Sequence, residues 1–78
     1  MTVEAKRILD EFRDRKMGAG KQIELSDFGE AIIWEDGFMR DEATRAAFKF
    51  LCEERFLVEY LNALELTPKG EKFLKDNI

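Results

Sequence analysis

Side chains that commonly perform catalysis are scarce in this sequence, which has no histidine and one cysteine, Cys52. A catalytic cysteine or serine needs a base beside it, and nothing in the sequence supplies one for Cys52 or for Ser26, whose position is typical of a helix cap. No pattern places two carboxylates in an apolar pocket that would separate their pKa values. A zinc site of the Cys/His type and an intrachain disulfide are both excluded. We therefore expect no enzyme activity, no metal and no cofactor.

The segment Gly18-Ala19-Gly20-Lys21 matches part of a phosphate-binding loop. The full pattern requires a glycine where Arg15 stands, a serine or threonine where Gln22 stands, and a strand before the loop. Here the preceding residues have helical spacing instead. We therefore expect Gly18 to end a helix.

Three aromatic residues are candidates for contact with another protein: Trp34, Phe38 and Phe48. Aromatic side chains ringed by polar groups often form the energetic centre of an interface. The alternative for Trp34 and Phe38 is that the connector folds back and buries them, with Met39, over the core. Phe48, beside Cys52, is equally explained by packing at a helix edge.

Periodicity predicts the elements that position these residues. Apolar residues at helical spacing predict a first helix with Thr2 as its N-cap. Its buried face comprises Ala5, Ile8, Leu9 and Phe12. Alternation then predicts a short strand over 22–25, after which Ser26 caps a second helix with Phe28 and Ile32 on its buried side.

A third helix is predicted from an N-cap at Asp41 to about Glu54. Its apolar stripe comprises Ala43, Ala47, Phe50 and Leu51. Its solvent face comprises Glu42, Arg45, Lys49 and Glu53. Beyond Arg55 the pattern alternates, which predicts a hairpin with strands over 56–61 and 64–67 and a turn at Asn62-Ala63. Thr67-Pro68 then starts a last helix, whose apolar residues are Phe73, Leu74 and Ile78.

Length and composition indicate a single folded domain over residues 1–78. The chain has 45% apolar and 38% charged residues, which is typical of a globular protein with a small core. Leftover apolar surface makes a homodimer, through the first or last helix, an expectation at this size. The sequence shows no signal peptide or membrane span, so we expect a soluble cytoplasmic protein without membrane contact.

Three segments resemble the winged helix-turn-helix family of bacterial and archaeal transcription regulators. FLCEERFLVE (50–59) is similar to its helix end, where a leucine precedes acidic residues, a tight turn and a Leu-Val pair that opens the wing. LELTPKG (64–70) resembles the second wing strand and its exit, and LSDFGEAI (25–32) resembles the second helix. The resemblance implies an α+β fold with a three-helix core, a two-stranded wing hairpin and a C-terminal helix, in the order α-β-α-α-β-β-α.

The chain departs from that family in three places. Arg55 stands where the family usually has a glycine in a left-handed turn, which implies mild strain or a longer turn. The connector between Ile32 and Ala43 is about one helical turn longer than in a tight helix-turn-helix. The predicted wing tip carries no lysine or arginine.

The family resemblance implies that the third helix enters the major groove of DNA. On this chain the groove-facing residues would be Arg40, Thr44, Arg45 and Lys49. The alternative is that Arg45 and Lys49 belong to intrahelical pairs with Glu42 and Glu53 on a solvated face.

Charge placement weighs against DNA. The net charge is −4, and every charged residue from Gln22 to Met39 is acidic. Phosphate contacts dominate DNA affinity, so acidic residues there repel the backbone. We therefore predict a non-catalytic regulatory module that binds a protein partner as an adaptor, with a DNA-binding transcriptional regulator as the alternative.

Overall fold

The computed structural model describes the backbone of residues 1–35, 38–39 and 41–76, and the side chains of these residues except Trp34, Glu35 and Phe38. Within these ranges the helices are α1 (Val3–Asp14), α2 (Glu42–Glu53) and α3 (Pro68–Asp76). The strands are β1 (Gln22–Glu24), β2 (Trp34–Glu35), β3 (Phe38–Met39), β4 (Leu57–Glu59) and β5 (Ala63–Leu66). The predicted α+β class is confirmed.

A three-stranded antiparallel sheet lies beside the helices, with the strand order β1-β5-β4. Leu64 at its centre pairs with Ile23 on one side and with Glu59 on the other. Successive side chains of a strand point to opposite faces. The inner face of the sheet therefore buries leucine and isoleucine, while Gln22 and Glu65 pair on the outer face through a hydrogen bond of 3.1 Å.

The core forms where α1 and α2 meet each other and the inner face of the sheet. The predicted face of α1 is confirmed, because Ala5, Ile8, Leu9 and Phe12 are all buried. The Phe12 ring packs edge-on against Phe28, with the centroids 5.9 Å apart. The first helix therefore supplies much of the core, as its 3.6-residue pattern requires.

The predicted second α-helix is wrong. The segment instead forms two short 3₁₀ turns, Leu25–Asp27 and Gly29–Ala31, so Ser26 caps no α-helix. Gly29 has φ +60°, a left-handed conformation that a right-handed helix cannot include. Phe28 and Ile32 are still buried, so helical spacing here reflects burial without a helix.

The connector that follows contains a ladder that the sequence did not predict. β2 and β3 pair antiparallel, with Trp34 opposite Met39 and Glu35 opposite Phe38. Met39 is buried in the core. This two-residue ladder lies directly before α2 and accounts for the extra length of the connector.

Both long helices end in the same motif. The prediction that Gly18 ends the first helix is wrong. The left-handed residue after α1 is Lys16, with φ +54°. Its amide donates to the Arg13 carbonyl, and the Met17 amide donates to the Phe12 carbonyl. These are the two bonds of a Schellman cap.

The α2 cap repeats this arrangement at Arg55, which has φ +62°. The Arg55 amide donates to the Cys52 carbonyl, and the Phe56 amide donates to the Leu51 carbonyl. Arg55, which stands where the family usually has glycine, therefore forms the tight left-handed turn itself.

The hairpin turn lies one residue earlier than predicted. The Tyr60 amide donates to the Ala63 carbonyl over 2.8 Å, so Tyr60 and Ala63 close a two-residue loop of Leu61 and Asn62. The predicted turn at Asn62-Ala63 is wrong because Ala63 already pairs with Glu24 in the sheet.

The start of α3 is fastened to the end of α2. The Thr67 hydroxyl accepts from the Gly70 amide, as an N-cap does, and lies 3.0 Å from the Phe56 carbonyl. The Lys69 ammonium donates to the Glu54 carbonyl and lies 4.9 Å from the centroid of the Phe56 ring. The open end of the hairpin, where β4 begins and β5 ends, is thus held by α2 and α3.

Candidate interaction surfaces

The outer face of α2 carries as many acidic as basic side chains. Arg45 and Lys49 are exposed as predicted, and so are Glu42 and Glu53. Among the described residues, neither of the expected pairs, Glu42 with Arg45 or Lys49 with Glu53, comes within ion-pairing distance. The two cations therefore lie one turn apart without a described carboxylate partner.

Thr44 lies on the buried side of α2, not on its solvent face. Its side chain is 7% exposed, and its hydroxyl donates to the Asp41 carboxylate over 2.9 Å. The same carboxylate accepts from the Ala43 amide over 3.3 Å. Thr44 and Asp41 therefore cap α2 together, and Arg40, the fourth predicted contact, lies outside the described residues.

An apolar strip runs along α2 between its charged face and α1. We define the α2 strip as Ala43, Ala46 and Phe50, which are exposed, Phe50 by 40%. The prediction that Ala43 and Phe50 are buried is wrong. The buried side is formed by Thr44, Ala47 and Leu51, so the helix is rotated about its axis and turns Ala43 and Phe50 toward solvent.

The α2 strip forms one wall of an open groove of about 600 Å³. The N-terminal residues Met1, Thr2 and Glu4 form the other wall, and Ala47 lies at its base. Met1 and Val3 are themselves more than half exposed. The groove is therefore an apolar depression between two helices, and no described residue of this chain fills it.

A second apolar surface lies on the β4–β5 hairpin. We define the hairpin patch as Val58, Tyr60 and Leu61, of which Leu61 is 90% exposed. Val58 and Tyr60 are two residues apart and face the same side of the strand. The sequence pattern placed Leu61 at the end of a strand and the turn at Asn62-Ala63, so it did not predict this patch; the signal was a large apolar residue directly beside the turn.

The charges within the hairpin are acidic, while Arg55 and Lys69 lie near Val58 at its open end. Between Leu57 and Leu66 the charged residues are Glu59 and Glu65, and the neighbouring strand β1 adds Glu24. Two arginines near the end of α1 are paired with their own neighbours. Arg13 pairs with Asp10 and Asp14, and Arg15 pairs with Glu11 and also donates to the Asp27 carbonyl.

The three predicted aromatic contacts have different outcomes. The side chains of Trp34 and Phe38 lie outside the described residues, although their backbones form the β2–β3 ladder. Phe48 is half-buried and packs against the core, as does Cys52. This is the placement that the helix-edge alternative expected.

The described residues offer little chemistry. Burial, with a smaller contribution from the Glu59 carboxylate, raises the pKa of the Cys52 thiol to about 11. The thiol is therefore protonated and unreactive near neutral pH. Within the described residues no cluster of acidic residues or cysteine could hold a metal ion.

None of the described helices has the length and apolar character needed to cross a membrane. Comparison with known proteins found no matching family model, no matching curated protein and no matching solved structure.

Proposed function

We propose that this chain is a non-catalytic, winged-helix-like regulatory module that binds a protein partner through the hairpin patch. The observation that carries the proposal is the character of the hairpin, which presents Val58, Tyr60 and Leu61 to solvent and no cation. The partner is a protein with an apolar surface bordered by basic groups.

The order of elements supports the winged-helix part of the proposal. A helix, a strand, two 3₁₀ turns, the β2–β3 ladder, a helix, a hairpin and a last helix follow each other, and the first strand joins the hairpin in one sheet. The 3₁₀ turns stand where the family has its second helix. The motif residues that suggested the family also have structural roles, since Arg55 makes the tight turn and Thr67 caps the last helix.

The exposure of Leu61 supports a protein partner. An isolated apolar side chain on a surface needs no explanation, but a leucine at a turn, next to an exposed tyrosine and valine, forms a contiguous patch. Burying one such leucine at an interface contributes about 1.5–3 kcal/mol. Tyr60 adds a large ring with a hydroxyl that a partner can hydrogen-bond.

The charges disfavour the DNA alternative. DNA affinity is dominated by phosphate contacts, and Glu24, Glu59 and Glu65 surround the hairpin that would approach the backbone. The observation that favours DNA is the pair of exposed cations Arg45 and Lys49 on α2. Two cations flanked by Glu42 and Glu53 give that face no net positive charge.

The proposal is tested by affinity capture from an extract of cells that carry this gene. We expect a partner that is retained by the wild-type chain and lost with the double variant Tyr60→Ser/Leu61→Ser. The matched control is Ile33→Ser, because Ile33 is as exposed as Tyr60 but lies outside the hairpin. Equal retention by all three chains would refute a role for the hairpin patch.

The DNA alternative is tested by fluorescence anisotropy with labelled random duplex over a range of salt concentrations. We expect no salt-dependent binding. Binding that weakens steeply with salt and is lost in Arg45→Ala/Lys49→Ala, but kept in Lys72→Ala, would replace the proposed function with DNA binding.

A further inference from the structure

We infer that the α2 strip is an interface between two copies of this chain, packed antiparallel about a two-fold axis near Ala46. The inference rests on α2 and the N-terminus, and on no residue of the hairpin patch. Failure of this inference would therefore leave the proposed function unaffected, and the reverse also holds.

The α2 strip carries both a projecting side chain and a depression that can receive it. Phe50 projects from one end of the strip, and the groove beside Ala43 and Ala46 is open, with Met1 and Thr2 as its far wall. A two-fold interface must be self-complementary, because the same patch supplies both sides. In an antiparallel pair centred near Ala46, Phe50 of each copy lies at the level of Ala43 of the other.

Charge placement selects the antiparallel direction. Glu42 and Lys49 are seven residues apart, so they project from α2 on the same flank, two turns from each other. Both are exposed, and neither has an ion-pair partner within 4 Å among the described residues. When like flanks meet antiparallel, Glu42 of one copy faces Lys49 of the other, twice. In a parallel pair the two-fold axis runs along the helices, so this flank of one copy lies on the opposite side of the interface from the same flank of the other, and Glu42 does not meet Lys49.

The small residues allow close approach of the two helices. Ala43 and Ala46 leave the α2 backbone accessible, and interaxial distances fall toward the low end of about 8–10 Å when the contact residues are small. A specific but weak interface needs about 500 Å² from each partner, roughly a tenth of the 5264 Å² surface of this chain. Met1, which is 55% exposed, borders the α2 strip and adds to its apolar surface, and we expect a reversible dimer.

Sedimentation equilibrium of the purified chain over a concentration series tests the inference. We expect a mass that rises from monomer to dimer and goes no further, since a two-fold contact closes on itself. Phe50→Ala should weaken association about tenfold or more, while Leu61→Ser, which removes a more exposed side chain from the hairpin, should leave it unchanged. A monomeric mass at every concentration up to about 1 mM would overturn the inference.

Charge exchange tests the antiparallel direction with exposed residues that do not affect folding. Glu42→Lys and Lys49→Glu should each weaken the dimer, because each creates like-charge contacts twice. The double exchange should restore the wild-type dissociation constant to within about twofold. Additive weakening in the double variant would contradict the antiparallel pairing.

A disulfide across the two-fold axis gives a third test. In a Cys52→Ser background, Ala46→Cys places one thiol of each copy near the axis, where the two can meet. We expect rapid covalent dimer formation on mild oxidation, and slow formation for the matched variant Glu53→Cys at the helix end. Equal rates for the two variants would count against a two-fold axis near Ala46.

Discussion

Gly70 is the residue at which α3 approaches the start of the hairpin most closely. A Cβ atom added to Gly70 would overlap the Phe56 carbonyl oxygen and would lie 2.7 Å from Cδ1 of Leu66. Neither neighbour can yield, because Phe56 is held by Thr67 and Leu66 is fully buried. This contact explains the glycine at the end of the LTPKG segment.

We predict that Gly70→Ala lowers the free energy of unfolding by about 2–3 kcal/mol, the cost of overpacking a rigid contact. The urea midpoint of the variant measures it. Gly18→Ala is the comparison, since its Cβ would displace only the flexible Glu71 carboxylate, 2.6 Å away, and cost at most that group's hydrogen bond to the Ala19 amide, about 1 kcal/mol. Equal losses in the two variants would show that the Phe56 contact is not rigid.

Arg55 holds a left-handed conformation that costs an L-residue about 1–2 kcal/mol. We predict that Arg55→Gly raises the free energy of unfolding by about 0.5–1 kcal/mol, because the relief exceeds the added entropy of the unfolded chain. Arg55→Ala separates the effect of the backbone conformation on stability from the effect of the charge, since alanine keeps the Cβ and loses the guanidinium. A chemical denaturation series compares all three proteins, and a glycine variant no more stable than the alanine variant would contradict the backbone explanation.

At the scale of elements, one carboxylate joins the loop after α1 to α3. Glu71 accepts a hydrogen bond of 2.8 Å from the Ala19 amide and pairs with Lys75 at 3.5 Å. The Ala19 hydrogen bond, followed by the Lys75 charge, lowers the pKa of Glu71 below its usual 4.5. A lowered folded-state pKa means that the contribution to stability is present above pH 4.5 and is lost as the pH falls through the folded-state value.

We therefore predict that wild-type and Glu71→Gln proteins differ in unfolding free energy at neutral pH and converge as the pH falls below 4.5 through the folded-state pKa of Glu71. Denaturation midpoints from pH 7 to pH 2 test this. Lys75→Gln in the wild-type background separates the two causes, because it removes the ion pair and leaves the Ala19 hydrogen bond. A constant difference between wild type and Glu71→Gln down to pH 2 would show that the carboxylate charge is not what stabilises the loop.

The sequence predicted most elements because their signals are local. The Thr2 and Asp41 caps, the apolar face of α1 and the start of α3 at Pro68 follow from residue type and short-range spacing. It failed at Phe28 and Ile32, where helical spacing met a left-handed Gly29. Burial at four-residue spacing fits two 3₁₀ turns as well as one helix, and only the backbone distinguishes them.

The candidate surfaces were harder to predict, because exposure depends on which elements pack together. An apolar stripe wide enough to include Ala43, Ala47, Phe50 and Leu51 indicates one buried face. The structure buries only the part that α1 and the sheet reach and leaves Ala43 and Phe50 exposed. The rotation of a helix about its axis depends on the elements that pack against it. A sequence pattern therefore predicts the apolar stripe but not which part of it is buried.

For the whole molecule, the inferred dimer links stability to concentration. If two chains fold and pair together, dissociation accompanies unfolding, and mass action favours the folded dimer as the concentration rises. Above the dissociation constant, each tenfold increase adds about 1.4 kcal/mol per dimer, or about 0.7 kcal/mol per chain.

For a domain of this length, 0.7 kcal/mol per chain corresponds to a rise in Tm of about 3–6 °C. We predict that rise for each tenfold increase in wild-type concentration, measured by calorimetry. Phe50→Ala should show a Tm that is independent of concentration over the range where sedimentation finds it monomeric. Leu61→Ser should follow the wild type, since its side chain lies on the hairpin. A Tm that does not change with concentration in the range where sedimentation shows a dimer would mean that pairing and folding are not coupled, and that the α2 face contributes association without stability.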